Sequence, residues 1–356
     1  MSSKFDKKLF ESWKLEPENI ESIKTAINLT AYEQQDLSQF ATLTKAKEDD
    51  PIAFIGSMED VGKSGSGCDP TYEEKGIANS MKRWKMGDWQ IPLKICYESM
   101  FGTIAEYALK QGTNIGDLSG TDIMAIYTMK LQEAIKSMRW RMSWLGDTTA
   151  QNVGSGGKIT AGVNTDLFDT CDGLWKRIFK ICTNSAKQLT AIDANKKDSA
   201  EEQRNAMYAD GYASGLIDTL LQNADSRIVD DPNSVLVMTR SFAMALEYDL
   251  RERYKIILPW EKVDNGMGTT VFNGVKIARC SVWDRQIAAY EKGTTTVNLP
   301  YRALFVNKKQ LLIGSPDNFV DQLDIWFDKK ERRNYIYATG KMGTQTLEDD
   351  MIHAMY

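Results

Sequence analysis

The segment Ile52–Gly67 comes nearest to a phosphate-binding loop. An apolar run leads to Gly56, and Gly62-Lys63-Ser64 follows. A P-loop has four residues between its first glycine and Gly-Lys, because its backbone N–H groups must all point at phosphate oxygens. Here five residues intervene, two of them acidic, and turn residues rather than a helix follow. The segment therefore predicts a flexible loop tip, with nucleotide binding through Lys63 as the alternative.

His353 is the only histidine of the chain, and it is the fourth residue from the end of the sequence. A Ser-His-Asp or Cys-His site needs an imidazole that packing and a third side chain hold in place. A metal site built on histidine needs further ligands. We expect His353 to be a solvated tail residue, and we predict no catalytic residue, no metal ligand and no cofactor.

The cysteines are odd in number, widely spaced and free of any CxxC pair, which disfavours a disulfide framework or a zinc site. We expect reduced thiols that pack as small apolar side chains. The five positions are Cys68, Cys96, Cys171, Cys182 and Cys280.

The charge balance is mildly acidic, with 44 basic and 49 acidic residues and a net charge of −5. A dedicated nucleic-acid-binding domain is usually basic, so this balance disfavours one. A surface that lies near packed DNA without gripping it is still compatible with this charge. No apolar stretch is long enough to span a membrane, and the N-terminus has no apolar signal core. We therefore expect the chain to stay in the cytoplasm where it is made.

The first half of the chain divides into three parts by composition. Residues 1–50 are polar and predict an arm that packs on another surface. Residues 51–98 predict a long two-stranded excursion with a glycine-rich tip, and its returning limb carries Trp84 and Trp89. An isolated hairpin of this kind is marginally stable in water, so it needs a neighbouring surface.

The strongest helical pattern follows this excursion. A first helix is predicted over residues 97–111 and a turn over 113–120. Apolar residues then recur every three to four positions from Thr121 to Leu145, and Gly146 ends that helix. Within it, Met138–Trp144 alternates arginine with tryptophan, which would suit stacking on nucleic-acid bases. Packing with cation–π pairing is the favoured interpretation, because a helix must turn half of these residues toward the core.

The remainder has a mixed α/β pattern. Its later part predicts an antiparallel ribbon formed by residues 323–327 and 335–338. Helices are predicted over 172–187, 200–224 and 240–253, and strands over 234–238, 275–282, 303–306 and 311–313.

The order of these parts resembles the major capsid proteins of tailed bacteriophages, which have the Hong Kong 97-type fold, and in particular those of gut Bacteroidales phages. The similar segments are Gly87–Leu93 leading into Tyr97-Glu98-Ser99, Trp144–Thr148, Phe272–Ile277, Val282-Trp283-Asp284, Asn298–Ala303 and Leu311–Gly314. The similarity covers about residues 50–356.

The resemblance implies an α+β fold with four parts. These are an N-terminal arm (1–50), an extended β-hairpin loop (51–98), a peripheral domain (99–163 and 317–356) with a spine helix at about 121–145, and an apical or axial domain (164–316). It implies a structural, non-enzymatic protein of the Caudoviricetes virion that self-assembles in the host cytoplasm. Hexamers and pentamers would build the icosahedral head around double-stranded DNA.

The resemblance also implies partners. The chain would contact copies of itself, a portal protein and a scaffolding protein, with auxiliary decoration proteins as further candidates. The arm is short for a fused scaffold, which predicts a separate one. The predicted inter-subunit contacts lie on the loop, at Lys82, Arg83, Trp84, Lys85 and Trp89. The alternatives are an encapsulin-type compartment shell and a nucleotide-binding enzyme that uses Gly62-Lys63-Ser64.

Overall fold

Two β-sheets and a two-stranded ribbon organise the chain, which a computed structural model describes over residues 35–55, 79–96, 122–262, 268–316, 319–328, 330–331 and 333–356. The helices are α1 Gln35–Phe40, α2 Asp122–Leu145, α3 Leu174–Asn184, α4 Ala200–Met207, α5 Tyr212–Asn223, α6 Ser226–Val229, α7 Arg240–Tyr254 and α8 Ser281–Tyr290.

The first seven strands are β1 Thr42–Lys45, β2 Pro51–Ile55, β3 Asn79–Arg83, β4 Gly87–Cys96, β5 Leu189–Thr190, β6 Ser234–Thr239 and β7 Glu261–Lys262. The other seven are β8 Gly268–Phe272, β9 Val275–Cys280, β10 Ala303–Asn307, β11 Leu311–Ser315, β12 Gln322–Asp328, β13 Arg333–Thr346 and β14 Ile352–Met355.

The smaller sheet is built around β13, whose 14 residues pair with three strands. Its first half lies antiparallel to both β12 and β4, and its last residues pair with β11. The parallel pairing of β1 with β11 extends the sheet. The larger sheet has the order β5-β14-β10-β6-β9-β8-β7. Strands β2 and β3 pair only with each other among the described residues.

The larger sheet separates two hydrophobic cores, because side chains alternate between the faces of a strand. In β6, Val237 belongs to the first core, and Leu236 and Met238 to the second. The first core lies between the two sheets and includes α2, α3 and α8. The second core packs the opposite face of the larger sheet against α5 and α7.

The long helix α2 confirms the predicted spine helix and ends at Leu145, before Gly146. Leu131, Ile135 and Met138 are buried in the first core, as the periodicity predicted. At 24 residues the helix is about 36 Å long.

The Met138–Trp144 segment packs inward, which confirms the packing interpretation. Trp144 is fully buried and meets the ring of Trp283 edge-on, with the centroids 4.7 Å apart. The guanidinium carbon of Arg139 lies 4.7 Å from the ring centroid of Phe319. These arginines therefore stabilise a tryptophan-rich core rather than present a surface for nucleic-acid bases.

Gly146 ends α2 through close backbone contact. A Cβ at this position would lie 2.4 Å from the carbonyl oxygen of Cys171. Gly173 has no room for a side chain either, because it lies directly against Gly146. The N–H of Gly173 donates to the carbonyl of Gly146 at 2.8 Å. The turn after the helix is therefore held against the start of α3.

A series of side-chain ion pairs, which we call the chain of charges, connects the end of α2 with the start of β10. The nitrogen Nζ of Lys176 lies 2.7 Å from carboxylate oxygens of both Asp147 and Asp172. Burial alone would raise the pKa of these two carboxyl groups, but the hydrogen bonds from Lys176 and the neighbouring threonines hold each below its usual 3.8. The chain of charges runs Asp172, Lys176, Asp147, Lys158, Glu291 and Arg302.

Glu291 and Arg302 form the buried end of this chain of charges. Both side chains are fully buried and in direct contact. Arg302 also donates to the carbonyl oxygens of Leu299 and Asn298 and lies over the ring of Trp175. A paired charge can be buried in this way because hydrogen bonds replace its water.

Most predicted elements of the second half are present. The helices predicted over 172–187 and 240–253 are α3 and α7, and the ribbon of residues 323–327 and 335–338 forms within β12 and β13. The helix predicted over 200–224 is divided into α4 and α5, because Gly211 adopts a left-handed φ of 72°. The helix and the turn predicted over 97–120 lie outside the described residues.

Residues 35–50, the described end of the predicted arm, pack on the body of the chain: Leu37 and Phe40 are buried in the first core, and β1 joins the smaller sheet. One expectation about the first half needs correction. The limb that contains Trp89 is not part of the exposed ribbon, because β4 pairs with β13 over ten residues. In the described part of the chain, the ribbon consists of β2 and β3.

The described cysteines agree with the predicted reduced thiols. Cys171, Cys182 and Cys280 are free and buried. Burial raises the pKa of Cys171 and Cys280 to about 12, so both remain protonated at neutral pH. Within the described ranges, no helix has both the length and the apolarity that a membrane crossing requires.

Candidate inter-subunit interface

The ribbon of β2 and β3 leaves the body of the subunit with strict antiparallel register. Pro51 pairs with Arg83 at its base, and Ile55 pairs with Asn79 at the far end of the described part. A two-stranded ribbon has only one ladder of hydrogen bonds and little area for packing. Its stability therefore depends on how its base is fixed and on what covers its faces.

The base of the ribbon is fixed to the end of β13. Nζ of Lys82 donates to the carbonyl oxygen of Thr346 at 3.0 Å and to Oδ1 of Asp349 at 2.6 Å. Nε2 of Gln345 donates to the carbonyl of Arg83 at 3.0 Å. Lys82, one of the predicted contact residues, thus holds the ribbon at a defined angle to its own subunit.

Trp84 also belongs to the body of its own subunit. Its side chain is buried, and a Cβ at Gly314 would lie 2.7 Å from its ring. Its N–H donates to the carbonyl of Asp50, and its carbonyl accepts from the N–H of Asp49. Trp84 therefore closes the ribbon base onto β11 of its own subunit, and its part in an inter-subunit contact stays a prediction.

Trp89 is buried for a different reason. It lies opposite Gly340 in the pairing of β4 with β13, and its ring stacks on Phe319 with the centroids 5.0 Å apart. Gly340 leaves room for the indole, because a Cβ there would lie 2.7 Å from it. The part of Trp89 in an inter-subunit contact stays a prediction. Apolar residues at alternate positions, Trp89, Ile91, Leu93 and Ile95, indicate a strand, and Leu93 keeps 40% of its area exposed.

The exposed face of the ribbon carries the remaining candidates. The two cross-strand pairs Pro51–Arg83 and Ala53–Met81 share this face, because paired residues point the same way. All four residues are exposed, and Met81 exposes 64% of its area. Lys85 is exposed just beyond β3. The sequence analysis did not predict Met81 as a contact residue, because an isolated methionine between polar neighbours gives no pattern that distinguishes a surface position from a core position.

The phosphate-loop-like segment gains no support from its neighbours in the chain. Pro51–Ile55 forms one strand of the antiparallel ribbon, whereas a P-loop follows a strand that leads into a helix. Gly62-Lys63-Ser64 itself lies outside the described residues. In the part of the chain that is described, no group of three or more His, Cys, Asp or Glu side chains is placed to hold a metal ion.

His353 is buried rather than solvated, which corrects the expectation from the sequence. It lies in β14, between β10 and β5, with 1% of its area exposed. Its Nε2 lies 2.9 Å from Oγ1 of Thr190. Burial lowers the pKa of the imidazole from 6.5 to about 4, so the ring is neutral at pH 7.

Two further apolar surfaces are exposed on the subunit. At one, Trp326 is 45% exposed and stacks on Tyr335 across β12 and β13, with the ring centroids 5.3 Å apart. The other lies along α7 and the residues after it, and we call it the α7 patch. It consists of Met244, Tyr248, Tyr254, Ile256 and Ile257, and Ile257 exposes 75% of its area.

No protein-family model matches the sequence, and a search of curated proteins gives no match. A search of solved structures does find similar chains. A chain of the satellite phage P4 procapsid, in a structure that includes the size determination (Sid) protein, has a TM-score of 0.51 and 10% identity, and the match covers 94% of this chain and 98% of that chain. A chain of Mycobacterium phage Ogopogo has a TM-score of 0.51 and 12% identity, with 90% and 91% covered.

A chain of the holo-SrpI encapsulin complex from Synechococcus elongatus PCC 7942 matches with a TM-score of 0.48, 9% identity and coverage of 91% and 88%. The two phage chains match along almost their whole length, and the long helix, the ribbon and the two sheets are the parts expected of a capsid subunit. The chain therefore has the α+β fold of tailed-phage capsid proteins, the Hong Kong 97-type capsid fold.

Proposed function

We propose that this chain is the major capsid protein of a tailed bacteriophage. It is a structural protein rather than an enzyme, and it self-assembles as hexamers and pentamers into the icosahedral head that encloses double-stranded DNA. The observation that carries this proposal is the end-to-end fold likeness to a chain of a phage procapsid. A ribbon that, among the described residues, is held by its own subunit at its base supports it.

The ribbon supplies a contact suited to repeated assembly. Its exposed face combines an apolar strip at Pro51, Ala53 and Met81 with positive charge at Arg83 and Lys85. Such a face is complementary to an apolar surface of a neighbouring copy with acidic residues at its border. Each contact is small, but a closed shell repeats it many times, and the contacts reinforce one another.

The α7 patch is a second proposed contact. Single exposed apolar residues are ordinary on protein surfaces, whereas a contiguous group indicates an interaction site. Met244 and Tyr248 lie four residues apart on one face of α7, and Ile257 follows its end. In a ring of subunits this patch would meet the next copy through a heterologous contact.

The partners follow from the proposed role. A head that is filled with DNA needs a portal, and the shell needs a scaffolding protein during assembly and can carry decoration proteins. The mildly acidic net charge of −5 suits a wall along which packed DNA can slide. We place assembly in the cytoplasm of the host bacterium and the mature protein in the virion.

Size-exclusion chromatography with light scattering, followed by negative-stain microscopy, tests the proposal on the expressed full chain. We expect rings of five or six subunits or closed particles. A protein that remains monomeric at high concentration would contradict it. Particles purified from the natural source should contain nuclease-protected double-stranded DNA, whereas an encapsulin-type shell would contain protein cargo or be empty.

A nucleotide titration tests the enzymatic alternative. The capsid proposal expects no saturable ATP binding by the full chain. ATP binding that disappears in the variant Lys63→Ala would favour the enzyme, provided that the control variant Lys82→Ala leaves binding intact.

A further inference from the structure

The turn between β8 and β9 consists of two exposed residues, Asn273 and Gly274. Both have a positive φ, 52° and 79°, and Phe272 pairs with Val275 on either side of them. Two-residue hairpin turns of this kind favour Asn-Gly, because both central residues adopt a left-handed conformation. The same pair is chemically labile, since the backbone nitrogen after an asparagine can attack the side-chain amide, and glycine hinders that attack least.

The attacking nitrogen is accessible at this turn. The ladder between β8 and β9 ends at Phe272 and Val275, and no acceptor for the Gly274 N–H lies among the described residues. A Cβ at Gly274 would meet no atom within 4 Å, so the space around the turn is open. Both reacting groups are therefore free to move toward each other.

Aspartate precedes glycine at two other described positions, and there the nitrogen is held. The N–H of Gly173, which follows Asp172, donates to a backbone carbonyl oxygen at 2.8 Å. The N–H of Gly211, which follows Asp210, donates to Oδ1 of Asp249 at 2.7 Å. A nitrogen fixed in this way cannot turn toward the side chain that precedes it. The structure therefore distinguishes the β8–β9 turn from these two positions.

The side chain of Asn273 is tethered to α5. Its Nδ2 donates to Oδ1 of Asp218 at 3.1 Å, and both residues are exposed. The attack requires Asn273 to leave Asp218 and to rotate until its Cγ lies about 3–3.5 Å from the Gly274 nitrogen. Water competes for an exposed hydrogen bond, so the release of this tether costs little free energy.

We propose that Asn273 is a site of spontaneous deamidation in the folded chain. The nitrogen of Gly274 bonds to Cγ of Asn273 and gives up its proton, while the Cγ–Nδ2 bond breaks and ammonia leaves. The product of this step is a cyclic succinimide. Water then opens the ring to give aspartate or isoaspartate. Water is the only co-reactant, and nothing is oxidised or reduced.

The modification changes the contact between the hairpin and α5. The new carboxylate lies opposite the carboxylate of Asp218, so a hydrogen bond is replaced by repulsion between two negative charges. We expect the β8–β9 turn to separate from α5 in the modified molecules. This inference concerns one chain, so it does not depend on whether the chain forms a shell.

Peptide mass spectrometry of the full chain, incubated at neutral pH, tests the site. The folded chain should convert Asn273 at a rate within about tenfold of the chain unfolded in urea, since an exposed turn opens locally. Fragmentation that identifies isoaspartate should find none at Asp172 or Asp210 in the folded chain. A folded chain that keeps Asn273 intact while the unfolded chain is fully converted overturns the proposal, as does equal modification of the three positions.

Two variants test the roles of the neighbouring residues. Gly274→Ala should slow the conversion at least about tenfold, because a β-carbon hinders the attacking nitrogen. Asp218→Ala keeps the Asn-Gly pair and removes the tether, so it should speed the conversion roughly threefold. An unchanged rate in Gly274→Ala overturns the proposed route, and an unchanged rate in Asp218→Ala overturns the proposed tether.

A charge exchange tests the consequence. Asn273→Asp, which reproduces one product, should raise the hydrogen-exchange rate of residues 271–276 roughly threefold, since exposed charges interact weakly. The double variant Asn273→Asp, Asp218→Asn exchanges the two groups and restores the hydrogen bond, so slow exchange should return. Equal exchange rates in both variants and in the unaltered chain would overturn the proposed separation of the turn from α5.

Discussion

Burial gives His353 a titration behaviour that a solvated tail residue would lack. The unfolded chain binds a proton at this imidazole below about pH 6.5, whereas the folded chain binds one only below about pH 4. Between these values the unfolded state holds more protons, so stability falls as the pH falls. The stabilisation is complete above about pH 6.5 and is lost by about pH 4.

The variant His353→Gln tests this residue. Glutamine can still hydrogen-bond to Thr190 but does not titrate, so the stability of the variant should depend less on pH between 4 and 6.5. The lowering of the His353 pKa from 6.5 to about 4 corresponds to a difference in unfolding free energy of roughly 3 kcal/mol across this range. Urea unfolding of the unassembled subunit at several pH values measures it. Parallel curves for the two proteins would show that His353 does not contribute.

The residue scale also shows what the sequence could not reveal. The burial of Trp84 depends on the space at Gly314, and that of Trp89 on the space at Gly340. Each glycine is more than 200 positions away in the chain. A local pattern carries no information about such partners. The sequence argument against a histidine-based catalytic site used the expectation that His353 is solvated, and burial of the ring beside Thr190 removes that ground.

At the scale of elements, the sequence predicted the elements whose residues are close together in the chain and missed a pairing between residues that are far apart. Helix α2 was predicted within a residue at its start, because its periodicity and its terminal glycine are local. The ribbon of β12 and β13 was predicted because its two strands are neighbours in the chain. The pairing of β4 with β13 was missed because those strands are far apart in sequence.

The ribbon of β2 and β3 offers a prediction at the same scale. Met81 is 64% exposed, so Met81→Glu should change the stability of the subunit by no more than about 0.5 kcal/mol. In a shell the new carboxylate would be removed from water at the contact, and particle yield should fall at least about tenfold. Thermal unfolding and quantitative electron microscopy measure the two effects separately.

Val271 provides the matched control for Met81. It is 63% exposed and lies on β8, in the larger sheet. We expect Val271→Glu to leave particle yield near that of the unaltered chain. Equal losses in both variants would show that any added acid impairs assembly, and normal assembly of Met81→Glu would remove the ribbon face from the proposed contact.

At the scale of the whole molecule, the chain of charges joins parts that are distant in sequence. Its buried end, Glu291 with Arg302, fixes the end of α8 to the start of β10. Arg302→Met should lower the free energy of unfolding by roughly 3–5 kcal/mol, because the Glu291 carboxylate would remain buried without its partner. The double variant with Glu291→Leu should recover much of that loss, since it leaves no unpaired charge. Denaturant unfolding of the four proteins gives the interaction energy, and an equally unstable double variant would contradict this account.

The larger sheet has a consequence for how the subunit unfolds. Since β6 and β10 contribute alternate side chains to both cores, neither core can become exposed while the other stays intact. A chain of this length often melts in stages, but here one cooperative transition is expected. In calorimetry the van't Hoff enthalpy of the isolated subunit should match the calorimetric enthalpy. A subunit that is either wholly ordered or wholly unfolded would supply the growing lattice with no half-formed building blocks.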